Sequence, residues 1–251
     1  MAKPITATII TLNEERNVEA VIASAFRVCD EVIVVDSCST DRTVELAEKA
    51  GAKVIVQPYL GDGPQKNYGV PFAKNDWIFS IDADERFEDE AVAEILSLDL
   101  EKSPWDSYAV RRKTFIGDKW IKTWYPDYVT RLYDRRKCAY TNVIGHASVV
   151  GGRNKKLKAD LLHYSYADLR DLIKRIDKFA ARGAKQLLEK GETIGVFSPV
   201  THGVGRFFKQ LVLRGGVVDG FYGFTVAVVS GFGAYMKYAL ALESQRNSGR
   251  K

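Results

Sequence analysis

Over the first hundred residues, short β-branched runs alternate with stretches in which apolar residues recur every three or four positions. Residues 5–11 form such a run, and Val18, Val21, Ile22 and Ala25 follow at helical spacing. Residues 31–35 predict a second strand ending at Asp36, then a helix over about 41–50 closed by Gly51. A third strand is expected at 54–56, a helix at 65–73, and an apolar fourth strand at 77–81, with Asp82 where it ends. Strands alternating with helices imply a parallel sheet covered on both faces, so the expected class is α/β. After Ser107 the runs shorten: 108–112, 128–133 and 143–150 predict an antiparallel extension.

Beyond Ser165 the period becomes helical. Ser165 and Asp168 read as a capping-box-like start, and Leu169, Leu172, Ile173, Ile176, Ala180, Leu187 and Leu188 share one face up to Gly191. The opposite face carries Arg170, Lys174, Lys178, Arg182 and Lys185. A second basic stretch, 206–214, leads into residues 220–236, 17 positions without a charge and with four glycines. As a helix those 17 residues span about 26 Å, short of the ~30 Å hydrocarbon core of a bilayer. Helices lying in the membrane interface are the favoured reading, with a buried core or dimer helix, hence a homo-oligomer, and a true transmembrane segment as alternatives. Two domains are expected, 1–160 and 161–251.

Charge sharpens that division. Residues 1–150 hold 19 Lys+Arg against 24 Asp+Glu, and residues 151–251 hold 18 against 8. A basic tail meets an anionic surface. Its charge is interleaved with long aliphatic faces and a glycine-aromatic run, which suits lipid better than nucleic acid. Cys29, Cys38 and Cys138 lie far apart without metal-ligand spacing, which fits a reducing compartment. Residues 1–4 run straight into a strand pattern with no export signal, so a cytoplasmic catalytic half is expected, peripheral on the inner face of the membrane.

In parallel sheets, ligands bind beyond the carboxyl ends of the strands. Three polar clusters stand there: 11–15, 36–41 and 82–85. Each contains ordinary turn and N-cap residues, but three together point to a site. Asp82 and Asp84, two positions apart, can act on one hard divalent cation, and Mg²⁺ or Mn²⁺ held there can bridge a diphosphate and neutralise its charge as it leaves. Asp36 can accept a hydrogen bond from the imide N–H of uracil, while Asp41 reads as a first-turn residue favoured by the helix dipole. Gln65 and Lys66, after the loop 61–64, are candidates for the donor phosphates or sugar. His146, His163 and His202 lack zinc-like spacing; His146 alone is placed near the acceptor or diphosphate.

These residues resemble the family 2 glycosyltransferases of GT-A fold, and more narrowly the bacterial lipopolysaccharide-core β-1,4-glucosyltransferases. The resemblance rests on 10–15, 36–43, Gln65-Lys66-Asn67, 81–85 and above all Trp124-Tyr125-Pro126-Asp127 continuing to Tyr133. Lys174, Gly183-Ala184, His202-Gly203, Asp219-Gly220 and Lys237-Tyr238 extend it through the tail. It implies a nucleotide site lined by Thr11, Asn13, Glu15 and Asp36, with Asp84 as the main carboxylate on the metal and Asp82 beside the ribose or diphosphate. It also implies inverting transfer of a hexose from a UDP-sugar to a lipid-linked saccharide. Inversion requires one base near the acceptor hydroxyl, and Asp127, in a Trp- and Tyr-rich setting, is a candidate. Relatives usually carry His-Glu where this chain has His146-Ala147. Either Asp127 is the base, or the base is the glutamate missing at 147 and the chain is an impaired enzyme or a membrane-bound scaffold.

Overall fold

The structure, a computed structural model, describes residues 4–143 and 147–248. It divides into two compact units, one of residues 1–113 and 126–163, the other of 114–125 and 164–251. The segment 114–125, expected within the first domain, belongs to the second unit.

The first unit opens with β1 (Ile5–Thr11), α1 (Val18–Ala25), β2 (Glu31–Asp36), α2 (Thr43–Lys49), β3 (Lys53–Val56) and α3 (Asp62–Tyr68), followed by β4 (Trp77–Ser80). It continues through β5 (Glu85–Phe87), α4 (Asp89–Ser97) and β6 (Ser107–Ile116), whose last three residues enter the second unit. The short β7 (Lys119–Trp120) pairs with that end of β6. The first unit then adds β8 (Asp127–Asp134), β9 (Ala139–Tyr140), β10 (Val149–Val150) and β11 (Asn154–Tyr166), the last also running on into the second unit.

The main sheet has the order β3-β2-β1-β4-β8-β6-β11-β5. Strands β3, β2, β1 and β4 are parallel neighbours, whereas β8 is antiparallel to both β4 and β6. This is the expected α/β architecture, a parallel half with an antiparallel extension. Alternation along the strands feeds two cores: Val32, Val34, Phe79 and Leu132 join the cluster containing α1 and α4, while Ile33, Val35, Ile78 and Tyr133 join the one on the other face. Covering both faces is why the parallel strands read as unbroken apolar runs.

Several boundaries differ from expectation. The helix expected at 65–73 begins at Asp62, after Gly61 at φ +110°, and gives way to a 3₁₀ turn at Val70–Phe72. Among the described residues of 143–150, Val149–Val150 alone form a strand, paired with β9 outside the main sheet. Strand β11 was not anticipated: Leu157, Ala159 and Leu161 point into the core, but the exposed Lys155, Lys156 and Lys158 mask the alternation. Ser165 lies in that strand, so the following helix is capped by Asp168 alone, whose side chain accepts from the Asp171 amide at 2.8 Å.

The second unit carries α5 (Leu169–Glu189), α6 (Ser198–Phe208), a π-helical turn at Lys209–Leu213 and α7 (Gly220–Ser248). Helices α6 and α7 approach closely because both lack side chains at the crossing: a Cβ on Gly231 would stand 3.0 Å from the Gly203 carbonyl oxygen. Asp219 accepts from the backbone and hydroxyl of Thr123 at 2.8 and 2.6 Å, tying segment 114–125 to the start of α7. Residues Gly216–Asn247 are long and apolar enough to cross a membrane, and only 28% of the most apolar window is buried inside the structure.

Candidate active site

Strands β1 and β2 end side by side, with Thr11 in register with Asp36. The Thr11 hydroxyl donates to Asp36 Oδ1 at 2.8 Å, and Asp36 also accepts from the amide and hydroxyl of Ser39, at 2.7 and 2.6 Å. Asn13, at φ +56°, donates its amide to Ser39 Oγ and accepts from the Thr40 amide, both at 2.8 Å. Glu15 donates its amide to Asp41 and accepts from the Arg42 amide. Thr11, Asn13, Glu15 and Asp36, the residues expected to line the nucleotide, thus lock two loops together. Asp36 is fully buried in this arrangement.

Gln65 does not reach outward as expected. It is fully buried, its amide nitrogen donates to Ser37 Oγ and the Gln57 carbonyl, and its oxygen accepts from the Leu60 amide. Ser37 and the wrapped segment before α3 take both of its N–H donors, leaving none for a phosphate. Lys66 is also buried and pairs with Asp82 Oδ1. Burial pushes this ammonium down, but the Asp82 charge beside it outweighs that and holds it above the usual lysine range.

Asp82 stands just past β4, yet it is not an open ligand for a cation. Its second oxygen pairs with Arg131, which projects from β8 and also pairs with the fully buried Glu85. Glu85 in turn accepts from the Asp82 amide at 3.0 Å and lies 3.7 Å from Arg112. Arg112 holds Asp127 Oδ2, with its Nε at 2.9 Å. Three anions and three cations therefore form one chain, Lys66–Asp82–Arg131–Glu85–Arg112–Asp127. Burial pushes the Asp82 carboxyl up, but Arg131 and Lys66 overwhelm it and hold the group far below the usual carboxylate range. Asp82 and Asp84, expected to grip one metal, thus differ in their surroundings, since both Asp82 oxygens face cations.

Asp84 is different. His163, on β11, brings Nε2 to 3.4 Å from its Oδ2. Burial raises the Asp84 carboxyl, and the histidine hydrogen bond and charge lower it further than that, to a net value below the ordinary one. Among the described residues no three His, Cys, Asp or Glu side chains gather into a preformed metal cluster. Magnesium is commonly held by one or two carboxylates completed by substrate phosphates, and Asp84 is a carboxylate of that kind.

Asp127 keeps one oxygen outside its contact with Arg112 and is partly exposed. His146 lies outside the described residues. Ala147 packs against the second core cluster, next to the start of α3, where its Cβ would stand 3.2 Å from a Cβ on Gly63. Glu85 and Arg131 fall inside the motifs 82–85 and 124–133 without a role of their own, and Arg112 and His163 carry none at the site from sequence alone. One trace of Arg112 is its register with Asp127, whereas a β-bulge that leaves Arg131 without a ladder partner between Thr130 and Leu132 hides that side chain's direction.

The chain matches known proteins over nearly its whole length. A family profile described as "Glycosyl transferase family 2" covers residues 6–161. An uncharacterized glycosyltransferase of Rickettsia bellii is 34% identical over 253 residues, covering 95% of this chain and 86% of the relative. The lipopolysaccharide core biosynthesis glycosyltransferase LpsC of Rhizobium meliloti is 28% identical over 260 residues, covering 94% of each. Among solved structures, Staphylococcus aureus TarS is similar with a TM-score of 0.50 and 14% identity, over 91% of this chain and 55% of that one.

Proposed function

The chain belongs to glycosyltransferase family 2, and from that premise we propose that it is an inverting, metal-dependent hexosyltransferase taking glucose from UDP-glucose to a lipid-linked saccharide of the lipopolysaccharide-core type. The relative named for lipopolysaccharide core biosynthesis supports the acceptor class. The observation that carries the proposal is the contrast between Asp82, closed between two cations, and Asp84, open except for His163.

In this reading Asp84, with His163 beside it, would hold Mg²⁺ or Mn²⁺ together with the donor diphosphate. The bound cation supplies positive charge to the leaving diphosphate. Uracil docks against the loops pinned by Thr11, Asn13 and Asp36. The free oxygen of Asp127 takes the proton of the acceptor hydroxyl as that oxygen attacks C1 of the sugar from the face opposite the diphosphate. Arg112 fixes the rotation of the Asp127 carboxylate, and the ion-paired chain behind it holds β8 to β4. The second unit seats the enzyme on the cytoplasmic membrane surface through exposed Leu213, Val218 and Phe221, with Arg214 beside them facing anionic headgroups.

UDP release from UDP-glucose, with Mn²⁺ and a purified core acceptor, tests the reaction. Asp127→Asn is expected to lower turnover by about 100-fold or more. If Ala147→Glu raises turnover by orders of magnitude, Asp127 is not the sole base. The absence of a carboxylate at 147 favours a second reading, a non-catalytic membrane-bound scaffold, which releases no UDP under any of these conditions.

A further inference from the structure

A cleft of about 750 Å³ opens within the second unit between α5, α6 and α7. That is ample for a small amphiphile. Its lining mixes cationic and apolar side chains, Arg206, Lys209 and Lys237 with Ile176 and Phe179. Among the described residues none of the three cations makes an ion pair. The site is also ordered: the His202 ring stacks on Tyr238 with centroids 3.8 Å apart and planes 4° from parallel, and Lys237 Nζ lies 4.4 Å above the same Tyr238 ring. Burial, with Arg206 and Lys190 nearby against an opposing Glu192, holds the Lys237 ammonium below its usual range. Three cations without an ion pair and apolar side chains lining the same cleft match a ligand that is anionic at one end and aliphatic at the other. A free phosphate would leave the apolar side chains wet, and a neutral lipid would leave the cations unanswered.

We propose that this cleft binds one acidic glycerophospholipid, with its phosphate on Arg206, Lys209 and Lys237 and the start of an acyl chain against Ile176 and Phe179. Lipid binding is measured without sugar transfer, so its failure is distinguishable from failure of the proposed reaction.

Native mass spectrometry and calorimetry of the full chain with dihexanoyl phosphatidylglycerol, held below the concentration at which it forms micelles, test the proposal independently of membrane seating. One lipid per chain is expected, with dihexanoyl phosphatidylcholine bound at least about tenfold more weakly. Arg206→Gln with Lys209→Gln should weaken phosphatidylglycerol about tenfold or more, each cation contributing roughly what a basic residue gains at an anionic surface. Lys237→Met, which keeps the aliphatic stem, should weaken it several-fold, and Phe179→Ser likewise. Lys174→Gln with Lys178→Gln, an equal charge change on the exposed face of α5, should shift it less than twofold. The proposal is overturned if wild type binds neither lipid or both equally, if the α5 pair weakens binding as much as the cleft pair, or if inorganic phosphate binds as tightly as the lipid.

Discussion

The two units treat charge in opposite ways. In the first, the charged side chains at the end of β4 are consumed internally: Lys66, Asp82, Arg131, Glu85, Arg112 and Asp127 neutralise one another, and Glu85 is fully buried. In the second, Arg206, Lys209 and Lys237 stand unpaired among the described residues, while Leu213, Val218 and Phe221 are 80%, 72% and 70% exposed. Closed charge over a buried core sets off Asp84, whose neighbouring charge is His163 rather than a lysine or arginine. Open charge beside outward apolar side chains is costly in water unless a second phase answers both, which is the character of an anionic bilayer surface.

Breaking the frame should have the largest effect. Arg131→Met leaves Asp82 and Glu85 without their shared cation, and removing one partner of a buried pair costs about 3–5 kcal/mol. Urea unfolding measures it; a loss under about 1 kcal/mol would mean the network counts for no more than surface pairs do. Asp84→Asn should leave the urea midpoint nearly unchanged yet lower UDP release by about 100-fold or more, as loss of a group that stabilises charge in the transition state does. Intact turnover in that variant would remove the distinction drawn between the two aspartates.

On the other side of the comparison, Leu213→Asp with Phe221→Asp should lower partition onto phosphatidylglycerol vesicles by at least about tenfold, since each apolar side chain withdrawn from water contributes roughly 1.5–3 kcal/mol. Co-sedimentation reads this, and unchanged pelleting would detach the second unit from the membrane reading. The smallest effect concerns acid. The Asp82 carboxyl is depressed in the folded chain, so its contribution to stability is complete above the unfolded value near about pH 4 and is lost as pH falls toward the folded one. Asp82→Asn should therefore flatten the decline of urea stability below about pH 4 relative to wild type.

Much of the parallel half was legible because its information is local. Apolar runs at 5–11, 31–36 and 77–80 and helical spacing between them specify strands and crossovers within a few residues of one another, and Asp82 and Asp84 fall at a strand end by counting alone. The burial of Gln65 was not legible, since it depends on the segment before α3 folding back over a residue that in an isolated helix faces water. Strand β11 was hidden for a related reason: its exposed lysines look like solvated loop until Leu157, Ala159 and Leu161 find the core.

The sequence by itself determined the class, the family motifs, the order of strands and helices in the parallel half, and the charge contrast between the two ends of the chain, because periodicity and composition survive without any contact. Only the tertiary structure decided which acids are spent and which remain open. Asp82 meets Arg131 across 49 residues and Asp84 meets His163 on β11 only once antiparallel registers are set. Such pairings are long-range, and a carboxylate's chemistry follows from the neighbour that folding brings to it.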